Sequence, residues 1–374
     1  MNISWTPANI GDAVEKVDTP SLVLDLDRFE RNLTRLMNAA RPGNVRVRPH
    51  AKSHKCTQIA MRQMIAGAVG VCCQKSAEAA VFLAAGIPDV LITNEVVGAR
   101  KITRLAQLAQ AFPSARLGVC VDQLDNVLQL ATACEAQDAK LDVYVDLDVG
   151  QNRTGVSTSQ AAVELARAVH ADPRLNFMGL HAYAGNAQHR RGVPERRGAI
   201  MAAAQKVSEV RAALRAADLP CEIVTGGGTG TFIYEAASGI FNEVQPGSFV
   251  LMDADYARNE QDPNAPRFEH ALMVLASVSS MNGDRITLDA GLKSFSTDSG
   301  PPLPAFAGWQ VRGVSDEHTV LHRAGEGPAV ALGDKALLIP GHCDPTVNLH
   351  DWIVVVRKGK VEDVWRIDAR GASY

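Results

Sequence analysis

The sequence predicts an α/β chain: a (β/α)8 TIM-type barrel followed by a smaller, mostly β C-terminal domain. Three observations carry this. Eight runs rich in Val, Ile, Leu and Cys alternate with Ala- and Leu-rich stretches of helical periodicity. Most of those runs are apolar on both faces, as parallel strands covered by helices are. Beyond about residue 255 the helical stretches stop and β-rich runs follow. An open doubly wound sheet shares the alternation and is the competing architecture.

Taken in order, the chain enters through an extended segment, residues 19–26 (TPSLVLDL). The eight strand-like runs are residues 45–52, 68–74, 89–94, 116–122, 141–148, 177–183, 222–226 and 243–253. Helical periodicity occupies 57–66, 77–85, 99–111, 124–137, 159–171 and 195–217, and Pro113, Pro173 and Pro220 follow three of these, where proline stops a helix. A polar, proline-bearing linker at 258–267 leads to β-rich runs at 271–281, 285–290, 310–314, 336–340 and 353–357. The last pairs with 361–367 through a hairpin around Lys358-Gly359-Lys360. The barrel is assigned to residues 19–257 and the β domain to 260–374, with residues 1–18 available to add a strand to the latter.

The 374 residues exceed one ordinary core and accommodate a barrel of about 250 residues plus a second unit. With 38 basic and 41 acidic residues the net charge is −3, which gives no support for nucleic-acid or anionic-membrane binding. No apolar run is long enough to span a bilayer. The N-terminus lacks the basic start and apolar stretch of a signal peptide, which points to the cytoplasm. The seven cysteines are odd in number and scattered, and Cys72-Cys73 lacks the spacing of a zinc or redox motif. They read as small buried residues in a reducing compartment.

In such a barrel the strand ends converge on one mouth. Lys52 ends the first run (VRVRPHAK), where desolvation would favour a neutral, nucleophilic amine able to form a Schiff base. Lys55 competes for that role but falls at the start of the outgoing helix. The other strand ends supply His50, Gln74, Asn94, Asp122, Asp146, Asp148, Arg153, His181, Tyr183, Asp253, Asp255 and Tyr256. After the seventh run, Thr225, Gly226, Gly227, Gly228, Thr229 and Gly230 form a loop whose amides can cradle a phosphate. The loop lacks the nucleotide P-loop pattern, so it is weak evidence alone. Opposite Lys52 it fits pyridoxal phosphate, with Arg153 the candidate partner of the ring nitrogen. Read on an extended segment, His342 and Asp344 place an imidazole and a carboxylate on one side, a mixed set suited to Mn2+, Mg2+ or Zn2+. An HxD pair is more often a capped turn. His318 and the His350-Asp351 pair are weaker candidates for further ligands.

Several runs resemble a known family: VDTPSLVLDL, RPHAKSHK, GVCCQK, ITNEVV, GGGTG, GSFVLMDADY, DAGLKS and GHCDPTVNLHDWIVVVRKGKVEDVW. They resemble the D-threonine aldolases, within the alanine-racemase-like, fold-type III pyridoxal-phosphate enzymes, and the likeness covers nearly the whole chain. It implies a homodimeric lyase of barrel plus β domain. Such enzymes cleave D-β-hydroxy-α-amino acids, with low specificity, to glycine and an aldehyde, using pyridoxal 5'-phosphate and a divalent metal, Mn2+ ahead of Mg2+ or Zn2+. By that resemblance Lys52 is the Schiff-base lysine, and His342 and Asp344 hold the metal. Gln74, Arg153, Tyr183, Thr225, Gly226, Gly227, Gly228, Thr229, Gly230 and Tyr256 contact the cofactor. His189, in GNAQHRR, stands near the substrate hydroxyl and shares candidacy for the base with a metal-bound water. The likeness extends to the 3-hydroxy-D-aspartate aldolases, which yield glycine and glyoxylate and share GHCDPT. More distantly it reaches D-serine dehydratases, where a cysteine stands at the position of Asp344, so Asp344 favours an aldolase. Ala184 departs from the bulkier or polar residue common in the family and leaves the substrate's side chain open.

Overall fold

The computed structural model describes residues 5–374. The chain begins with β1 (Ser21–Asp25), and the Asp25 carboxylate accepts from the Arg28 amide at 3.0 Å to cap α1 (Leu26–Ala40). Leu26, Phe29, Leu33, Leu36 and Ala40 recur at helical spacing and are buried. There follow β2 (Arg46–Val47), α2 (Thr57–Ile65), β3 (Val71–Cys73), α3 (Ser76–Ala84), β4 (Asp89–Glu95), α4 (Ala99–Ala111), β5 (Arg116–Val121) and α5 (Leu124–Ala136). Then come β6 (Leu141–Asp146), α6 (Ser159–Ala171), β7 (Leu175–His181), α7 (Val193–Ala216), β8 (Ile223–Gly226), α8 (Phe232–Ala237), β9 (Glu243–Val244) and α9 (Ala254–Ala257). The eight strands β2 to β9 form one parallel sheet in the order β2-β9-β8-β7-β6-β5-β4-β3. Its two ends meet: the Val69 amide donates to the Val47 carbonyl at 2.9 Å and the Cys72 amide to Pro49 at 2.8 Å. The sheet is therefore a barrel rather than an open doubly wound sheet.

The second sheet is built from β10 (Leu272–Asn282), β11 (Arg285–Leu288), β12 (Leu303–Pro304), β13 (Trp309–Val314), β14 (Thr319–Arg323), β15 (Lys335–Ile339), β16 (Trp352–Arg357) and β17 (Lys360–Arg366). A short helix, α10 (Cys343–Val347), precedes β16. The expected hairpin is β16–β17. β1 lies inside this sheet, antiparallel to β10 and parallel to β16, so the extended entry belongs to the β layer and not to the barrel. One apolar core fills the space between barrel and helices. Another joins α1 to the second sheet, where Phe29 packs edge-on to Trp365. Among the described residues no helix is long and apolar enough to cross a membrane.

The first and last barrel strands are shorter than their apolar runs predict. Proline offers no amide to a ladder, and Pro49 and Pro246 stand just past β2 and β9. Beyond them the chain turns, and residues 51–53 and 248–250 form single helical turns. Lys52 thus sits on a turn rather than at a strand end. Residues 340–346, expected to be extended, turn into α10 after His342. The helices α1 and α8 and the strand β14 are additions to the sequence reading. α8 has six residues and β14 five, too short for periodicity to register.

At the N-terminal end of the barrel Arg48 is 2% exposed and joins Asp89 on β4 (2.6 Å) to Glu243 on β9 (2.9 Å). Glu243 is fully buried, so Arg48→Ala would strand its charge. Thermal melts should place the variant about 3–5 kcal/mol below the parent. A loss under about 1 kcal/mol would mean that Arg46, 3.3 Å from Glu243, suffices as its counter-ion.

Candidate active site

The strand exits deliver polar side chains to one end of the barrel. His50 Nδ1 accepts from the Lys52 amide at 3.3 Å and starts the turn that carries Lys52. The Lys52 Nζ lies 3.9 Å from Asp344 Oδ2. The side chain is 40% accessible, but the surface it shows is that of a cavity of about 140 Å3 rather than the outside of the protein. Gln74, Arg153, Tyr183, His189, Gly228, Thr229, Tyr256, His342 and Asp344 share that cavity wall. A larger hollow of about 510 Å3 lies beyond Tyr256 and Thr229, but it gathers neither a lysine nor the His342–Asp344 pair, so the smaller cavity is the candidate.

Burial works to lower the Lys52 pKa, yet the Asp344 carboxylate and the Tyr183 phenol prevail and raise it. The neutral amine expected from desolvation alone is thus corrected: in this arrangement Asp344 holds Lys52 charged. Lys55 does not compete. Its Nζ is 2.8 Å from the buried Glu78 carboxylate.

The glycine-rich loop borders the cavity at Gly228 and Thr229. Their amides donate to no acceptor among the described residues, which leaves them available to an anion. A Cβ at Gly228 would come within 2.5 Å of Gln188 Oε1 and 3.2 Å of the Tyr183 hydroxyl, so only glycine keeps this cradle open. Thr225 is buried behind it and accepts from Gln245 Nε2 at 2.8 Å. Gly226, Gly227 and Gly230 lie outside the cavity wall, and the Gly230 amide donates to Gln188 Oε1 at 3.0 Å. Gly247 and Ser248, on the loop after β9, join the wall beside Thr229. Sequence reasoning missed them because it carried the eighth strand to residue 253.

Inside the barrel, His50 Nε2 meets Thr93 Oγ1 at 3.0 Å and Gln74 Nε2 at 3.1 Å. Burial, with Lys52 adding to it, pushes the His50 pKa well down, so the ring is neutral. His181 pairs with Asp146 at 2.6 Å and reaches Gln245 Oε1 at 3.3 Å. Asp148 accepts the Gly150 and Asn152 amides at 2.9 and 3.0 Å, so it shapes the loop bearing Arg153 rather than pairing with the guanidinium. Arg153 stands 6.0 Å over the Tyr183 ring. Asn94 and Asp122 bond main-chain groups, the Gln74 carbonyl and the Gly155 amide, and are not in the wall. Ala184 is buried with Ala187, Ile200 and Tyr234, likewise outside the wall.

His189 lies 2.7 Å from Asp255 through Nδ1 and packs on Tyr256 at 4.7 Å between ring centroids. The carboxylate engages Nδ1, which leaves Nε2 to face the cavity with a lone pair. Burial lowers the His189 pKa despite Asp255, so the ring is a free base at neutral pH. Asp255 is itself held by Arg191 (2.5 Å) and Arg258 (2.7 Å).

His342 Nε2 and Asp344 Oδ1 are 4.0 Å apart. Two contacts of about 2.1 Å at a tetrahedral angle put their donors about 3.4 Å apart, so a shift of roughly half an ångström would let both grip one ion. Asp298 binds the other ring nitrogen at 2.7 Å and orients the imidazole toward that point. Asp298 was missed: it lies 44 residues before His342 in an ordinary polar turn. Among the described residues no group of three or more His, Cys, Asp or Glu side chains converges as a complete metal cage. An ion here would complete its shell from outside those residues. His350 is tied to the Ser294 carbonyl at 2.7 Å, and His318 sits between β13 and β14, away from the wall. Asp253 fixes the whole loop, accepting the Tyr256 amide with one oxygen and the Cys343 amide with the other, both at 3.0 Å.

Residues 24–255 match the model of the alanine racemase N-terminal domain, and residues 271–356 match a putative serine dehydratase domain. The D-threonine aldolase of Arthrobacter sp. is 47% identical over 98% of this chain and 96% of its own length. The chain belongs to the D-threonine aldolase family. A crystal structure of the D-threonine aldolase from Filomicrobium marinum superposes with a TM-score of 0.95 at 46% identity, covering 99% of this chain and 100% of that one. The 3-hydroxy-D-aspartate aldolase of Paracoccus denitrificans is 42% identical over 98% of this chain and 96% of its own. The lysine, the open amides and the phenols of this barrel mouth fit pyridoxal phosphate.

Behind the glycine-rich loop, Glu235 is buried; one oxygen accepts from Thr231 Oγ1 at 2.8 Å and the other has no partner among the described residues. Burial pushes its carboxyl up to about 7. The folded state therefore holds a proton that the unfolded chain loses at about 4.5. Stability then falls as pH rises from about 4.5 to about 7, by roughly 3 kcal/mol in all. Glu235→Gln should melt above the parent at pH 8, and that advantage should vanish near pH 5. A constant offset between the two melting curves would contradict the assignment.

Proposed function

We propose that this protein cleaves D-β-hydroxy-α-amino acids to glycine and an aldehyde, using pyridoxal 5'-phosphate and a divalent metal. The observation that carries it is the placement of the His342–Asp344 pair in the same cavity wall as Lys52 and His189. Bound pyridoxal phosphate supplies an aldehyde for Lys52 or the substrate amine and a ring that withdraws electrons from Cα. A divalent ion supplies a positive charge that eases loss of the β-hydroxyl proton.

The chain's own residues do the rest. Lys52 would hold the cofactor through its side-chain amine. Gly228 and Thr229, with Gly247 and Ser248, receive the phosphate through main-chain amides. Arg153, in the cavity wall, would partner the ring nitrogen, where a fixed cation would keep that nitrogen unprotonated. Gln74, Tyr183 and Tyr256 hold the ring, and Thr225, Gly226, Gly227 and Gly230 keep the loop in shape. His342 and Asp344 hold the ion, and Asp298 orients His342. The mixed nitrogen and oxygen donors suit Mn2+, Mg2+ or Zn2+, and the family resemblance puts Mn2+ ahead of the others. His189 Nε2, directed by Asp255, takes the β-hydroxyl proton.

The domain division at residues 19–257 and 260–374, a homodimeric state and a cytoplasmic location belong to the same reading. The first rests on the two matched segments and is amended at β1; the second rests on the family resemblance. The third rests on seven unpaired cysteines, six of them buried.

Incubation with D-threonine, D-phenylserine and D-3-hydroxyaspartate, with and without Mn2+, should release glycine in a metal-dependent way. Ammonia and a keto acid in place of glycine would make the protein a dehydratase. Lys52→Ala should lose the visible absorption band of the bound cofactor, whereas Asp344→Ala should keep cofactor and lose the metal-dependent rate. His189→Ala should lower turnover by roughly 10^2–10^4-fold; a near-normal rate would remove His189 from the role of base.

A further inference from the structure

Glu78 has no place in the chemistry above, yet it is 2% exposed and its polar contacts reach the two loops that carry Lys52 and Gln74. One carboxylate oxygen accepts the Gln74 amide at 2.8 Å and the Lys75 amide at 3.1 Å. The other lies 2.8 Å from Lys55 Nζ. Glu78 therefore grips the β3–α3 loop, which carries Gln74, by its main chain, and the β2–α2 loop, which carries Lys52, by a charge. Lys55 adopts a left-handed backbone (φ 50°), and its amide donates to the Ala51 carbonyl at 2.7 Å, locking the turn around Lys52. The same two loops touch a second time inside the barrel, where Gln74 Nε2 meets His50 Nε2. The chain's last residues tie them a third time from outside. The Ala369 amide donates to the Lys55 carbonyl at 2.9 Å, and the Ala77 amide donates to the main-chain oxygen of Tyr374 at 3.2 Å. Asp368 accepts from the Thr57 amide at 3.0 Å and from its hydroxyl at 2.6 Å.

We propose that Glu78, with Lys55 as its counter-ion, is a positioning residue that sets the separation of Lys52 and Gln74 across the cofactor site, with residues 367–374 as an outer strap. A cap for α3 alone would need only the Lys75 and Gln74 amides. The buried Lys55 ammonium is the part of the arrangement that capping does not explain. The inference rests on the reading of Lys52 as the cofactor lysine.

The test titrates pyridoxal phosphate into the full-length apoprotein and follows its visible spectrum, alongside melting temperature and turnover. Glu78→Gln keeps an oxygen for the two amides and removes the charge that holds Lys55. It should raise the cofactor Kd roughly tenfold, while kcat at saturating cofactor stays within about twofold of the parent. Lys55→Met should give the same loss, and the double variant should be no weaker than either single one, since one pair is broken in each case. Asp368→Ala, at the exposed strap, guards against a Glu78 variant that does not fold, and should raise Kd by about threefold. Parent-like Kd in the folded variants, with only the melting temperature lowered, would overturn the proposal and leave Glu78 as a helix cap. Failure of the parent protein to bind the cofactor would instead overturn the functional reading on which it rests.

Discussion

The site depends on one buried carboxylate. Asp253 stands where the chain leaves the barrel, and its two oxygens hold the Tyr256 and Cys343 amides. Two main-chain bonds run beside it, from Ala254 to the Pro340 carbonyl and from Asp255 to Gly341, each 3.1 Å. The first half of the chain is thereby stitched to the loop that bears His342 and Asp344. That stitch helps to bring Asp344, on the β layer, to 3.9 Å from Lys52 on the barrel, and the Ser248 hydroxyl, 3.3 Å from Asp344, adds a second tie. Gly341 is part of the fit, because a Cβ there would strike the Gly300 carbonyl oxygen.

The electrostatics follow from this closeness. A lysine walled in by protein alone would lose its proton. Here Asp344 and Tyr183 outweigh burial and keep it charged. The same carboxylate faces the His342 imidazole, so Asp344 stands between the two. A cation bound to Asp344 would compete with Lys52 for it and so ease the amine toward its nucleophilic form. For His189 the balance runs the other way: Asp255, shared with Arg191 and Arg258, favours its protonation, but burial outweighs it and leaves the ring a free base.

Much of the barrel was legible because buried parallel strands and amphipathic helices write their periods into the sequence. β4 to β7 fall within about a residue or two of their apolar runs. Where proline interrupts the ladder, pattern misled: the runs at 45–52 and 243–253 read as whole strands, yet only two residues of each form strand. The helix α1 was obscured by its charges, Arg28, Glu30, Arg31 and Arg35, which cover its outer face. Among the site residues, Lys52, His342 and Asp344 were visible as reactive types in unusual settings. Asp298 and Ser248 were not, because an aspartate in a turn and a serine after a glycine are commonplace until the fold shows what they face. The resemblance of whole motifs gave a role to residues, such as Gln74, that the strand-end pattern only placed in the mouth.

The strand at residues 21–25 has a consequence for how the molecule is made. It leaves the ribosome about 250 residues before the first of its neighbours in the sheet, residues 272–275, and later still come residues 353–356. For most of synthesis its amides and carbonyls lack their permanent partners, and the apolar face of the helix that follows lacks part of its cover. Severing the chain at the linker would not yield two self-sufficient halves, because the C-terminal piece would be missing a central strand. The layer that carries His342 and Asp344 is completed only once the chain has been made as far as residues 353–366.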